Sequence, residues 1–296
     1  MPAKIIKFPS IEKFSKKEKI IALGKFYSIH IGHKKILKTA SDIAKKKELE
    51  FGTMIFSQRK IDNFYSLEER MEFINEFNPD FFLIFNPTKK NFSISYKEFE
   101  NYLEKINVKE IVVGKDFKYG HNQEGDVSTL KKKFNVTIIK EIKNQKEKIS
   151  SKKIFEELCK DNLDYYLKSL GHYFFYKGKV IHGKGIGTEL DMPTANVEYP
   201  AYKININDGI YYSYVTYKNN KFPSLTSIST NPTISNDNKR TYESFIYNFD
   251  KTIYDEEIKV ELIEKYRDPI KFDSIEELKN KLSQDKELGK TYFNLP

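Results

Sequence analysis

Two histidines three residues apart, His30 and His33, enclose Gly32 in the string His-Ile-Gly-His. Glycine lets the backbone approach a ligand, helix amides point at an anion, and two imidazoles donate to phosphate oxygens. Nucleotidyl transfer asks for charge stabilisation and positioning at an α-phosphate, with no covalent enzyme intermediate. The competing use of such a pair is half of a metal site, for which five histidines and one cysteine in the whole chain leave few further ligands. Farther along, Gly183, Gly185 and Gly187 alternate ahead of Pro193-Thr194-Ala-Asn196. Alternate glycines allow a backbone to wrap a phosphate, and the Thr194 hydroxyl and Asn196 amide suit a magnesium ion and its phosphates. Turns in a β protein are the other use of such glycines. Glu243 completes the set: over residues 241–249 the two-residue period of a strand puts it on one face with Phe245, Tyr247 and Phe249. A carboxylate on an aromatic face suits general-base activation of a hydroxyl. Otherwise it escapes to solvent or pairs with Arg240.

Regular elements must hold these groups in place. The apolar run Ile20-Ile21-Ala22-Leu23 reads as a strand, and residues 34–48 carry helical spacing through Ile36, Leu37, Ala40 and Ile43. His30 and His33 therefore fall where a strand ends and a helix begins. Residues 51–56 read as a second strand, Ser66-Leu-Glu-Glu69 as a capping box, residues 81–85 as a strand buried on both faces, and Ser95-Tyr-Lys-Glu98 as another capping box. Residues 110–114 and 134–139 are further strands. This alternation predicts a doubly wound parallel sheet, whose ligands bind beyond the carboxyl ends of its strands.

Residues 140–150 are polar and read as a loop or short edge strand, followed by two short helical patterns that Gly171 ends. The domain boundary is set near Leu170, giving domains 1–170 and 171–296. Beyond it, strands at residues 173–181, 209–217, 224–229, 241–249 and 257–266 predict an antiparallel barrel. Ser274-Ile-Glu-Glu277 is a third capping box, starting a final helix to about Glu287.

Bulk composition bounds the partners. The formal net charge is +9, with 33 Lys and Arg against 22 Asp and Glu in residues 1–160 and 18 against 20 thereafter. Such a field attracts nucleic acid, an anionic surface or phosphorylated small molecules. Only four of the basic residues are arginine, namely Arg59, Arg70, Arg240 and Arg267. Each stands out, because a planar fork is not replaced by lysine without loss. No apolar run is long enough to span a bilayer, the start lacks a signal-peptide core, and the single Cys159 has no internal disulfide partner. A reducing cytoplasm is the expected location, and a transient homo-oligomer is compatible with the sequence.

The motifs also carry a resemblance. Gly24-x-Phe26 with His30-x-Gly-His33, Val113-Gly-Lys-Asp116-Phe-Lys-Tyr-Gly120 with Gly125-Asp126, and Ile149-Ser150-Ser151 resemble, in order and spacing, the adenylyltransferase half of bacterial bifunctional riboflavin kinase/FAD synthetases. The resemblance implies that His30 and His33, with Gly24, Phe26, Gly32, Ser150 and Ser151, bind the ATP phosphates. It implies that Asp116, Phe117, Gly120 and Asp126 hold the flavin. The segment from Gly178 through Asn196 resembles the riboflavin kinase signature, in which Pro193, Thr194 and Asn196 bind ATP and magnesium. Asn231-Pro-Thr233 and Arg267 resemble later elements, Arg267 on the flavin side, and Glu243 matches the family's catalytic glutamate.

This copy departs from the pattern at specific positions. The family's Gly-Asn-Phe-Asp-Gly lead-in stands here as Gly24-Lys25-Phe26-Tyr27-Ser28, and the threonine and arginine after the serine pair as Lys152 and Phe155. The histidine-proline after the second strand is replaced in Phe56-Ser57-Gln58-Arg59. A missing phosphate-binding arginine costs several kcal/mol of transition-state stabilisation, by analogy with arginine fingers. Lys152 or Lys153 can stand in as a point charge. The implied activity is phosphorylation of riboflavin to FMN and adenylylation of FMN to FAD, with ATP and Mg2+. The alternatives are a riboflavin kinase with a degenerate flavin-binding first half and, from another class, a basic nucleic-acid-binding protein without a recognised motif.

Overall fold

A computed structural model describes residues 2–57, 63–144, 147–183, 187, 192–230 and 240–296. The chain divides into two compact units, Met1–Ser151 and Lys152–Pro296. In the first unit the strands are β1 (Lys4–Lys7), β2 (Lys19–Leu23), β3 (Glu50–Phe56), β4 (Phe81–Phe85), β5 (Val108–Gly114), β6 (Lys118–Tyr119), β7 (Gly125–Asp126), β8 (Asn135–Ile139), β9 (Lys143–Asn144) and β10 (Glu147–Lys148). Helices α1 (Ile31–Lys47), α2 (Leu67–Asn75), α3 (Lys89–Phe92), α4 (Tyr96–Lys105) and α5 (Val127–Leu130) lie between them.

Six of these strands form one parallel sheet in the order β1-β4-β3-β2-β5-β8. Every residue of β2 and of β4 is buried, as the apolar runs of residues 20–23 and 81–85 require of strands covered on both faces, and Lys19 at the head of β2 is buried with them. One core face gathers Ile21, Leu23, Leu83, Leu103, Ile111 and Val113, each nearly inaccessible to water. Burial of each such side chain contributes about 1.5–3 kcal/mol. Ser66 and Ser95 cap α2 and α4 in full capping boxes with Glu69 and Glu98. β1 was not expected: Lys-Ile-Ile-Lys is too short to show a period, and its parallel pairing with β4 makes it a strand. The polar segment before Ser150 forms the small β9–β10 hairpin.

The second unit holds α6 (Ser151–Leu158) past its first residue, α7 (Leu163–Leu170), strands β11 (Phe174–Ile181), β12 (Thr194–Val197), β13 (Gly209–Tyr217), β14 (Asn220–Thr230), β15 (Arg240–Ile246) and β16 (Glu257–Arg267), and α8 (Ile275–Phe293). The six strands close into an antiparallel barrel in the order β11-β12-β15-β14-β13-β16. The two short helices group with this barrel, where sequence had set the division near Leu170. Gly171 ends α7 in the left-handed region and returns its N–H to Leu167, and Tyr166 packs edge-on against Phe174 at 5.6 Å.

Period-two alternation sorts the barrel's residues into two faces. On one, the buried hydroxyls of Ser213, Ser224, Thr226 and Ser244 join at 2.7–2.8 Å across β13, β14 and β15. On the other, Tyr212, Leu225, Phe245 and Tyr247 form a cluster with Met192, against which Leu282 and Phe293 of α8 pack. α8 therefore runs beyond the Glu287 end expected of it, because Tyr292 and Phe293 have Tyr212 to cover. The Ser274 hydroxyl accepts from Glu277 N, but the Glu277 carboxylate accepts from Asp273 N, so the third capping box is only half formed. β12 was not among the strands expected from sequence, and it pairs with β11 and β15.

Candidate active sites

In the first unit the leading feature is the corner between β2 and α1, beyond the carboxyl end of the sheet. His30 is the N-cap of α1, and its Nδ1 accepts from His33 N at 3.3 Å, which leaves the proton of its neutral ring on Nε2. The two imidazoles stack, 3.8 Å between centroids and 14° apart. Burial pushes His30 down to about 4, with Lys148 adding repulsion against a hydrogen bond that favours the charged form. Burial, then His30, holds His33 well below its ordinary value. Burial thus favours the neutral form of both rings. The His33 Nδ1 is buried without a hydrogen-bond partner among the described residues.

The loop feeding this corner is strained. Phe26 and Ile29 both adopt φ of 47°, a left-handed conformation that costs about 1–3 kcal/mol in a non-glycine residue. Packing compensates: Phe26 is fully buried, 5.0 Å from the His33 ring, and Gly24 lies against the Phe26 ring. Gly32 sits close to the His30 ring, where an added Cβ would approach to 3.0 Å. Ser28 is fully buried and its hydroxyl meets that of Ser151 at 2.8 Å. The histidine corner and the serine pair, 123 residues apart, are thus joined by one bond.

The other residues expected here divide by role. Lys153 forms an ion pair with Glu157 at 3.2 Å, within α6. Asp116 is exposed and paired with Lys148, whose ammonium also meets Glu141 at 3.0 Å. Lys148 was not singled out from sequence; its place two residues before Ser150 was the available signal. Phe117 stacks on Tyr119 at 5.7 Å, and the Tyr119 hydroxyl donates to the buried Glu100 at 2.5 Å. Gly120 has φ of +76°, and a Cβ there would lie 2.7 Å from Tyr96 N, so the turn requires glycine. The Asp126 carboxylate accepts from Ser128 N and Thr129 N and caps α5. Asp126 and Gly120 thereby shape the loop.

In the second unit, β12 brings Thr194 and Asn196 opposite Phe245 and Glu243 of β15. The Thr194 hydroxyl donates to Glu243 Oε2 at 3.3 Å. Glu243 is half-buried on the face of Phe245 and Tyr247, as the period predicted, whereas Phe249 lies past the strand against Phe222. Arg240 pairs with Asp208 rather than with Glu243, its Nε donating at 2.7 Å. Gly183 meets Asn196 so closely that a Cβ would lie 2.1 Å from Nδ2, and the Gly187 carbonyl accepts from Met192 N at 2.8 Å. Pro193 is exposed, ahead of the first residue of β12. Gly185 and Asn231-Pro-Thr233 lie outside the described residues. The Arg267 guanidinium forks onto Asp285 of α8 and donates to Asp268 O at 2.9 Å, an anchor for the helix.

Residues 12–153 match the model of the FAD synthetase family, and residues 170–293 match the riboflavin kinase model. A bifunctional riboflavin kinase/FMN adenylyltransferase of Buchnera aphidicola subsp. Schizaphis graminum is 31% identical, over 93% of this chain and 94% of its own. Those so named from Listeria monocytogenes and Escherichia coli K12 are 28% and 26% identical over 93% of this chain, and over 92% and 93% of their own. A crystal structure from Streptococcus pneumoniae, described as a macrolide-efflux protein, superposes with a TM-score of 0.88 at 25% identity over 97% of this chain and 98% of its own. The chain belongs to the bifunctional riboflavin kinase/FMN adenylyltransferase family.

As a member of that family it phosphorylates riboflavin to FMN and adenylylates FMN to FAD. The parallel-sheet unit corresponds to the FAD synthetase part and the barrel to the riboflavin kinase part. Among the described residues no helix is long and apolar enough to cross a membrane, and no group of three or more His, Cys, Asp or Glu gathers as a metal cage.

Proposed function

We propose that Glu243 is the base of the kinase reaction, and that the His30–His33 corner with Ser150 and Ser151 holds the ATP phosphates in the adenylyl transfer. The observation that carries the first assignment is the β12–β15 pairing, with the Thr194 hydroxyl 3.3 Å from the Glu243 carboxylate and Asn196 directly opposite. The Glu243 carboxylate accepts the proton of the riboflavin primary hydroxyl as that oxygen attacks the γ-phosphorus of ATP; the new P–O bond forms as the β–γ bridge breaks and ADP leaves. The Thr194 bond orients the carboxylate. Thr194 Oγ1 and the Asn196 amide oxygen are hard donors that would hold Mg2+, which when bound would offset phosphate charge.

In the first unit, the neutral imidazoles donate to phosphate oxygens while the FMN phosphate attacks the α-phosphorus and pyrophosphate departs. The segment from Asp116 through Gly120 borders the flavin, and the Asp116–Lys148–Glu141 charges fix its start. The domain boundary of the working protein falls between Ser151 and Leu170, and both reactions belong to the ATP-rich, reducing cytoplasm. One incubation tests the scheme: purified protein with riboflavin, ATP and magnesium, its flavins resolved by chromatography. FMN followed by FAD is expected. FMN that never proceeds would remove the adenylyl-transfer roles from His30, His33 and Ser151.

A further inference from the structure

Among the described residues Arg70 is the largest fully buried side chain, 1% exposed, and no step above uses it. It lies on α2, where its Nε donates to Ser66 O at 3.3 Å and its Nη1 to Phe56 O at 2.8 Å, at the carboxyl end of β3. Its Nη2 is buried with no hydrogen-bond partner among the described residues. Among the described residues no carboxylate forms an ion pair with it; Glu68 acts on it only through the longer-range field, and Glu69 next to it caps Ser66 N. Burial pulls the guanidinium down to about 10, so it remains charged at pH 7. An unpaired buried cation is costly unless an anion answers it.

The neighbouring side chain points to that anion. The Arg70 guanidinium lies 5.7 Å from the ring of Tyr27, between Phe26, which packs on His33, and Ser28, which bonds Ser151. Tyr27 stands where the family pattern carries an aspartate, so the position that would place a carboxylate beside Arg70 holds a neutral ring instead. Phe155, in place of the family's arginine, is an exposed side chain on α6. We propose that Arg70 supplies the positive charge behind the His30–His33 corner, stabilising through its field the phosphates of ATP and the departing pyrophosphate. The neutral imidazoles provide hydrogen bonds but no charge, and a fixed cation in a low-dielectric setting acts on phosphates without touching them. Arg70 is a positioning residue in this scheme: it also holds the Phe56 carbonyl. The inference rests on the reading of the corner as the phosphate site.

Two substitutions separate charge from geometry. Arg70→Lys keeps the charge and loses the fork, whereas Arg70→Gln keeps a donor for Phe56 O and loses the charge. FAD formation from FMN and ATP is measured with inorganic pyrophosphate as inhibitor, and riboflavin phosphorylation by the same samples reports intact protein. Arg70→Lys should keep the pyrophosphate inhibition constant and the KM for ATP within about threefold of the parent, and Arg70→Gln should weaken both by about tenfold or more. Phosphorylation should be unchanged in either. A Gln variant equal to the parent would overturn the proposal, as would a Lys variant impaired as much as Gln. Should Arg70→Gln fail to fold, Arg70→Lys decides alone, by retaining or losing pyrophosphate affinity. His33→Ala tests the underlying reading: pyrophosphate inhibition that survives it removes the corner as phosphate site and the proposal with it, whereas inhibition lost there but kept in Arg70→Gln removes Arg70 only.

Discussion

Replacing Glu243 with Gln removes a proton acceptor and little else. The amide is isosteric, its oxygen can still accept from Thr194 Oγ1, and the parent bond is long at 3.3 Å and half-exposed, so its loss costs about 0.5–1 kcal/mol of stability. The backbone pairing that fixes Glu243 opposite Asn196 does not depend on the side chain. General-base catalysis contributes typically 10²–10⁴-fold, or about 3–5 kcal/mol of barrier. The kcat for FMN formation should therefore fall by about 10²-fold or more, with the riboflavin KM little changed, because a group acting on a proton in flight contributes little to ground-state binding. The assay is initial-rate FMN formation from riboflavin and ATP, with FAD formation from added FMN as control on the same preparation. A fall of less than about tenfold would refute the assignment. So would a parallel loss of FAD formation, which would mean that the change acts on folding and not on the kinase chemistry.

The other predictions concern the frame around each site. Ser28→Ala should leave Ser151 without its 2.8 Å partner and raise the ATP KM of adenylylation by about three- to tenfold, with riboflavin phosphorylation unchanged; the bond is worth about 1 kcal/mol. Folded His30 titrates near 4 and an unfolded histidine near 6.5, so the unfolded chain binds more protons between those values. Stability is then full above pH 6.5 and falls as pH drops through that window, by at most about 3 kcal/mol from His30, with His33 adding in the same direction. Chemical denaturation at pH 7 and pH 5 checks this, and His30→Asn should flatten the slope. Arg267→Ala should strand the buried Asp285 beside Lys281 alone and destabilise the barrel unit by about 3–5 kcal/mol, seen as a lowered melting transition.

The elements were legible in sequence where periodicity and caps agreed. Ser66-Leu-Glu-Glu69 and Ser95-Tyr-Lys-Glu98 form the boxes their spacing predicts, and the apolar runs of β2 and β4 are buried throughout. β1 and β12 were not legible. β1 is held by pairing with β4, a partner 77 residues away that no local pattern reveals. β12 is four residues long, too short to show a period, and it is the register against β15 that makes it a strand. At the sites, sequence spacing singled out His30, His33, Thr194, Asn196 and Glu243, and the fold stacks the first two and sets Asn196 opposite Glu243. Spacing could not show that Asp126 also caps α5 or that Arg267 also forks onto Asp285, because both contacts are made only in the fold.

The family departures also take on different weights once the chain is folded. Ser28 in place of a glycine is no simple loss: its hydroxyl is buried and joins Ser151, so the loop gains a tie to the serine pair that a glycine could not make. Tyr27 in place of an aspartate removes a negative charge next to the one buried guanidinium among the described residues, and the net effect on a polyanionic ligand is favourable. Phe155 is an exposed, uncharged side chain, and Lys153 pairs with Glu157 on the same helix. A chain with four arginines must draw cationic help for phosphates from its lysines or from the arginines it retains. Lys148 is neutralised by two carboxylates. Arg70 has no carboxylate paired to it among the described residues, so on the proposal above the adenylyl-transfer site should be more sensitive to charge at position 70 than to charge at position 148.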